Sequence, residues 1–502
     1  MADFDLTIIG GGINGTAIAR DAAGRGLKVL LLEKNDLASG TSSETTKLIH
    51  GGLRYLEQWE FGLVWEGLHE RTKLLRTAPH LVQPLRLVLP YREGIGMWPV
   101  PVMQLGLHAY DALAGMAGMQ VFPHARRFTL KDTAEGAPLN DALHTAFEFS
   151  DCRVDDARLV VLNAVDAAQR GADIRTRTAF EKAVRDNGEW RITFSAGGKT
   201  SEITSRALVN AAGPWVARVN EKIEGTGAPR ASVHLVKGSH IVVKKLFSHD
   251  KAYFFQHGDG RIVFAIPYQR DFTLIGTTDV KVDGTDVSAS PEEIDYLCKV
   301  VNGYFRKAIT PGDVVWSYAG VRPLYDTSNG KSASGYSRGY HFGFEDGASG
   351  APLVIGYGGK MTESRRYAEK ALHLLSQRLP MGPAWTGTAP LPGGDFAWQE
   401  LGTLIKDTAQ RYPFLPTDLI TRLVYAHGTW AERVVGNAKT LADMGEDLGA
   451  GLHLREVDYL IENEWARSAE DVLCRRTKCW LHMSAPQRQN AARTIENRMA
   501  PA

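Results

Sequence analysis

The chain is poor in cysteine, carries no excess of charge of either sign, and has no long unbroken apolar run. Four cysteines stand in 502 residues. Cys152, Cys298, Cys474 and Cys479 form no CxxC pair and no metal-type spacing, which excludes a disulfide scaffold and a zinc module; reduced thiols of an intracellular protein are expected. Lys and Arg total 58 against 57 Asp and Glu, a formal net charge of +1, so nothing global attracts nucleic acid. The stretch nearest to a membrane span, residues 94–122, is broken by Pro99, Pro101 and several glycines, and no crossing helix is expected. The chain enters an apolar strand at once with no basic stretch before it, so no leader peptide is expected. Repeats and low-complexity tracts are absent. With 44% hydrophobic residues, the length suffices for two or three domains.

What is present is concentrated at the N-terminus. The apolar run Leu6-Thr7-Ile8-Ile9 leads into Gly10-Gly11-Gly12-Ile13-Asn14-Gly15, then an Ala-rich helical stretch through Arg25, then a second apolar run, Leu27 to Leu32, ending at Glu33. Strand, glycine turn, helix, strand and acid follow in the order of a dinucleotide site. Gly10 suits the tight turn, Gly12 the approach of a pyrophosphate, and Gly15 close packing of helix on strand. The helix N-terminus offers free N–H groups to phosphate. Glu33 is placed for ribose hydroxyls, against a 2′-phosphorylated cofactor. The motif alone does not separate FAD from NAD. No second copy follows, and the Gly/Ser/Thr-rich segment Leu37 to Arg54 suits an extended flavin better. An ordinary polar loop with Ser42 or Ser43 as a helix cap is the plainer alternative for that segment.

The remaining pattern predicts an α/β architecture. A Rossmann-like FAD-binding domain is expected over 1–77, 150–225 and 346–388, an antiparallel-sheet substrate domain over 78–149 and 226–345, and a helical domain over 389–502. Helices are predicted from Tyr55 to Arg76, Asp155 to Arg170, Pro291 to Phe305 and Thr362 to Arg378. Within residues 94–122, Met103, Leu107, Tyr110 and Ala114 lie at helical spacing, reading either as a core helix or as a surface for membrane or a lipophilic electron acceptor. Strand-like runs are Asp173 to Ala183, Trp190 to Ser195, a strand ending at Ala211-Ala212-Gly213, a strand-rich region from Val233 to Asp279, Val314 to Val321, and Pro352 to Gly356. Val457, Leu460, Ile461, Trp465 and Val472 recur at helical spacing.

Basic or acid–base residues sit beside glycines at predicted strand ends: His50, Arg54, Lys237, His240, Arg322 and Lys360. Each alone is unremarkable. Together they imply a cationic pocket at the flavin face and an anionic substrate, with Arg giving bidentate recognition, Lys a point charge and His a proton acceptor.

The segments GGGINGTAIARDAAGRG, TSSETTKLIHGGLRYLE, DCRVDDARLV, LVNAAGPW, KGSHIVV, IGTTD, GVRPL and GGKMT, with RYPFL, GNA and RRTK beyond them, resemble the FAD-dependent, membrane-associated glycerol-3-phosphate dehydrogenases of aerobic metabolism across essentially the whole chain. The resemblance implies oxidation of sn-glycerol 3-phosphate at C2 to dihydroxyacetone phosphate, hydride transfer to flavin N5, and electrons passed to ubiquinone or another quinone. The protein would be cytoplasmic and peripherally bound to an anionic membrane surface, with a homodimer left open. It places substrate on Arg54, Tyr55, His240, Arg322, Lys360 and Thr362, with His240 taking the hydroxyl proton, or Arg322 instead lowering the hydroxyl pKa, and Lys360 as the third catalytic candidate. The candidate cofactor residues are Gly10, Gly12, Ile13, Asn14, Gly15, Glu33, Lys34, Thr41, Ser42, Ser43, Lys47, Leu48, His50, Gly51, Gly52, Ala212, Gly213, Trp215, Gly359, Lys360, Met361 and Thr362, His50 as a flavin neighbour rather than the base.

Two departures stand out. The usual GGKLTTYR-like run is here Gly358-Gly-Lys-Met-Thr-Glu-Ser-Arg365, and RRTK is followed by Cys479-Trp480 rather than glycine. Arg475, Arg476, Lys478, Arg488, Arg493 and Arg498 stand against the single acid Glu496, reading either as a basic membrane face or as a solvated helix face. Rival readings are an oxidase of the same substrate that uses oxygen, a flavoenzyme of amino or hydroxy acids, and a flavin-binding scaffold without turnover.

Overall fold

The apolar N-terminal run folds as the strand Phe4–Ile9, buried on both faces as a parallel strand covered by helices must be. The helix Ile13–Gly24 follows the glycine turn, and Val29–Leu32 returns parallel, with Leu6 opposite Val29. The computed structural model describes residues 2–53, 56, 59–94, 98–116, 122–225, 233–326, 336–337, 339–346 and 350–500.

Two sheets organise the molecule. Across the first, the described strands run Ile223–Glu224, Thr178–Asp186, Glu189–Ala196, Lys199–Asn210, Phe4–Ile9, Val29–Leu32 and Asp173–Arg175. Leu353–Gly358 lies parallel to Lys199–Asn210 and carries Tyr340–Glu345 antiparallel on its other side. The helices Ile13–Gly24, Asp156–Gln169 and Ser364–Leu375 pack together on this sheet, their apolar faces merging with Ile8, Leu31 and Val209 in one core. The fold is thus α/β and Rossmann-like, with a mainly antiparallel second sheet running Tyr336–Ser337, Val314–Asp326, Val233–Lys244, Phe272–Gly276, Ile262–Tyr268, Ala252–Gln256, Val82–Pro90, Thr145–Val154 and Leu48–Ile49.

The expected run Asp173 to Ala183 is two strands, because Arg177 adopts φ 52 and turns the chain between them. The helix expected from Tyr55 to Arg76 is described over Phe61–Thr77, one residue past its expected end, while Pro291–Asn302 and Ser364–Leu375 stop short of Phe305 and Arg378. Leu48–Ile49 and Thr145–Val154 belong to the second sheet, while Tyr340–Glu345 joins the first.

The C-terminal part is helical, with Leu401–Arg411, Thr417–His427, Leu454–Asn463 and Ala485–Met499 around two small cores. Its basic residues do not share one face: three turn inward, while Arg493 and Arg498 stay exposed on the last helix. Arg475 and Arg476 turn inward onto Asp36, Lys478 onto Asp155, Arg498 pairs with Asp458, and Arg488 lies over the Trp480 ring. All four cysteines are free thiols; Cys474 is partly buried and the other three are buried.

Candidate active site

One cavity of about 660 Å³ begins at the glycine turn and ends among His240, Arg322 and Lys360. At its first end Gly10 holds φ 113, and a Cβ there would lie 2.8 Å from the Ala211 carbonyl oxygen. A Cβ on Gly15 would lie 1.9 Å from the Gly10 carbonyl oxygen, so helix and turn meet only because that position is glycine. Gly12 ends the turn as the N-cap of Ile13–Gly24 and makes no side-chain cap bond; Ile13 N instead donates to Ser42 Oγ at 3.0 Å. Glu33 accepts from Gly11 N at 2.7 Å and Asn35 N at 2.8 Å. Burial pushes its pKa up while these two donors oppose the shift, and lone pairs remain on both oxygens for ribose hydroxyls. A glycine cradle at a helix N-terminus, an acid at the second strand and an orphaned buried acceptor, Asn14 Oδ1, fit a dinucleotide.

Of the predicted cofactor residues, Gly10, Gly12, Ile13, Asn14, Glu33, Lys34, Thr41, Ser42, Leu48, His50, Gly52, Ala212, Gly213, Trp215, Gly359, Lys360, Met361 and Thr362 line this cavity. Gly15, Ser43, Lys47 and Gly51 are absent from its lining and support it from behind. Lys47 Nζ pairs with Asp156 at 2.8 Å and donates to the Ser43 carbonyl. Gly51 N donates to the Tyr110 hydroxyl, and a side chain on Gly51 would strike Leu68 and that hydroxyl at 2.7 Å. Arg54 and Tyr55 lie outside the described residues.

At the other end, three strands of the second sheet meet. His240 on Val233–Lys244 stacks on Tyr318 of Val314–Asp326, ring centroids 4.8 Å apart, and its Nε2 bonds Thr46 Oγ1 at 3.0 Å while Nδ1 has no protein partner. Burial, then the charges of Arg322 and Lys47, hold its pKa well below the ordinary value, so the ring is neutral. A Cβ on Gly276 would lie 2.1 Å from His240 Cδ2, and a Cβ on Gly238 would lie 2.5 Å from Arg322 Nη2 and 2.6 Å from Thr277 Oγ1. These two glycines make room for the histidine and the arginine. Lys360 Nζ stands 3.4 Å from Glu363 Oε1, and Thr362 Oγ1 accepts from His50 N at 3.3 Å. Burial, helped by Lys360, Arg71 and Arg322 against Asp151, also lowers the His50 pKa.

Lys237 departs from the predicted cationic set. Its ammonium pairs with Glu293 at 2.7 Å and lies off the cavity. Strand parity explains this: Gly238 and His240 share one face, and Lys237 falls on the other. Residues that sequence reasoning did not single out are Thr46, Glu44, Arg261, Phe254 and Phe264, all in the lining. Phe264 follows from alternation along Ile262–Tyr268, where Ile262 also lines the cavity; Arg261 precedes that strand, and it and Glu44 carry no such signal. Burial pushes the Glu44 carboxyl up to about 7.

The geometry defines a flavin-type oxidoreductase site, and comparisons with known proteins agree. The family described as FAD dependent oxidoreductase matches residues 5–365, and the C-terminal domain of alpha-glycerophosphate oxidase matches residues 384–502. The chain belongs to the FAD-dependent oxidoreductases, in the family of the glycerol-3-phosphate dehydrogenases, and its cofactor is FAD. It is 45% identical over 498 residues to D-erythritol 1-phosphate dehydrogenase of Brucella abortus, covering 98% of each chain. It is also 45% identical over 500 residues to a glycerol-3-phosphate dehydrogenase of Pseudomonas aeruginosa, covering 98% of this chain and 95% of that one. The glycerol-3-phosphate dehydrogenase of Bacillus halodurans, solved with FAD, superposes with a TM-score of 0.77 at 27% identity, covering 99% of this chain and 90% of that one.

Proposed function

We propose that this protein oxidises sn-glycerol 3-phosphate at C2 to dihydroxyacetone phosphate and passes the electrons to a membrane quinone. The observation that carries the reading is a neutral, buried His240 beside Arg322 and Lys360, in one cavity with the dinucleotide cradle. Bound FAD supplies the hydride acceptor, flavin N5. Arg322 and Lys360 hold phosphate and the C2 oxygen, and Thr362 fixes the His50 backbone beside them. Arg54 and Tyr55 join them on the resemblance alone. His240 takes the C2 hydroxyl proton; the Thr46 bond occupies one ring nitrogen and leaves the other for it. Phe254 and Phe264 form an apolar wall that limits water at the reacting carbon.

A second reading has its own support, the Brucella relative that is equally identical to this chain. D-erythritol 1-phosphate shares the phosphate, the adjacent methylene and a secondary alcohol, and adds one hydroxymethine. Initial rates of anaerobic flavin reduction with the two phosphates, and with a panel of amino and hydroxy acids, decide among them. Hydrogen peroxide yield with and without a quinone analogue separates the quinone-linked enzyme from an oxidase.

Peripheral membrane attachment is supported by one exposed apolar face. No described helix is long and apolar enough to cross a membrane. The helices Phe61–Thr77 and Val100–Met116 pack on one another and expose Phe61, Trp65, Val102, Leu105 and Met116, with Trp59 and Trp98 beside them. The core behind them is shared with Leu87, Phe149 and Phe254 of the cavity wall, an apolar path for a quinone.

A further inference from the structure

The segment between Glu33 and Leu48 forms one wall of the cofactor cavity with almost no regular structure, a single turn at Thr41–Ser43. Backbone bonds tie it to neighbouring chain at three points, Arg177 N to the Asn35 carbonyl, Ala38 N to the Gly11 carbonyl and Val154 N to the Lys47 carbonyl, and between them only local ones at Ser39, Ser43 and Glu44 hold it. Its conformation therefore depends on side-chain anchors, and the strongest come from the C-terminal domain. Arg476 binds Asp36 in bidentate fashion, Nη1 to Oδ2 at 2.7 Å and Nη2 to Oδ1 at 2.8 Å, with both side chains 0% exposed. Arg475 Nε adds a third bond to Asp36 at 2.7 Å. Lys478 binds Asp155, the N-cap of the helix whose Asp156 holds Lys47 and Thr45 at the far end of the same loop. Residues 475–478 thus hold the near end of the loop directly and brace the helix N-terminus that holds its far end.

We infer that the C-terminal helical domain is a cofactor-retention element: Arg476, with Arg475 and Lys478, acts as a positioning group that clamps the loop over FAD. The contact is a planar guanidinium on a buried carboxylate, a geometry that lysine does not reproduce. Since the clamp favours the FAD-binding shape of the loop, FAD must in turn favour the clamped domain, because coupling between two sites is reciprocal. The inference rests on the cavity holding FAD and requires nothing of the substrate.

The test uses the full chain, stripped of FAD and titrated back. Arg476→Lys is expected to raise the Kd for FAD about tenfold, the loss of roughly one charge-assisted hydrogen bond. Arg498→Lys, on the exposed pair with Asp458, is expected to leave it unchanged. In the unmutated protein, amide exchange over residues 471–479 is expected to slow on adding FAD, while the helix Leu401–Arg411 keeps its rate; this arm holds even if Arg476→Lys fails to fold. An unchanged Kd in a folded Arg476→Lys, or exchange over 471–479 indifferent to FAD, overturns the clamp. An unmutated chain that does not bind FAD overturns the cavity assignment and the clamp together.

Discussion

Gly238→Ala separates the placement of Arg322 from the stability of the fold. The added methyl would lie 2.5 Å from Arg322 Nη2 and 2.6 Å from Thr277 Oγ1, roughly 1 Å inside ordinary contact. Both atoms end movable side chains, and the next neighbour, the Thr278 carbonyl oxygen at 3.3 Å, need give only a few tenths of an ångström; Arg322 and Thr277 must move. The glycine has no left-handed φ, so alanine also restricts the unfolded chain, worth about 0.4–1 kcal/mol in favour of folding. Thermal stability should therefore hold or rise slightly. A 1 Å misplacement of a substrate-binding group costs about a hundredfold in rate, ~2.7 kcal/mol of barrier. FAD content should be unchanged, because Gly238 lies at the opposite end of the cavity from the glycine turn. Anaerobic stopped-flow reduction by sn-glycerol 3-phosphate should then be about a hundredfold slower, approaching Arg322→Ala. Reduction within about threefold of the unmutated enzyme would refute the claim that Arg322 acts from this position.

Gly15→Ala should abolish FAD binding and lower the melting temperature, since its Cβ would sit 1.9 Å from a backbone oxygen that cannot yield; a variant purified with full flavin contradicts this. His240 must be neutral to act, and burial with Arg322 and Lys47 depresses its pKa, so kcat/KM should hold as pH falls through about 6.5 and drop only below it; a limb at or above that value contradicts the assignment. The same shift makes folding less favourable below about pH 6.5, where the unfolded imidazole binds a proton that the folded ring refuses, and His240→Asn should flatten that part of the stability profile. Glu44, raised to about 7 by burial, gains a negative charge on the wall of an anion-binding cavity as pH rises through that value; FAD affinity should fall there, and Glu44→Gln should remove the dependence in a fluorescence titration. Leu105→Glu with Met116→Glu, both on the exposed apolar face, should abolish sedimentation with anionic vesicles while leaving anaerobic flavin reduction intact; retained sedimentation would remove that face from membrane contact.

The dinucleotide cradle was legible in the sequence because it is local: strand, turn, helix and acid lie within Leu6 to Glu33, and Gly11 and Gly15 answer contacts inside that stretch, although Gly10 answers the distant Ala211 carbonyl. Gly238 and His240 were legible as a motif, but the motif did not say which residues face the cavity. The two-residue period of the strand did, and it turns Lys237 away to Glu293. The periodicity that joined Val457 to Trp465 and Val472 overran a helix that stops at Asn463, since Trp465 adopts φ 56. The inward turn of Arg475, Arg476 and Lys478 was not legible for a different reason. Charge composition cannot reveal a partner distant in sequence, and Asp36 lies 440 residues from Arg476. Side-chain anchors of that range emerge only from the packed fold.

The most direct measurement is the anaerobic visible spectrum of the purified protein before and after sn-glycerol 3-phosphate. The account predicts an oxidised-flavin band near about 450 nm that bleaches with the substrate and returns with a quinone analogue. A flavin band that persists under saturating sn-glycerol 3-phosphate would contradict the proposed reaction.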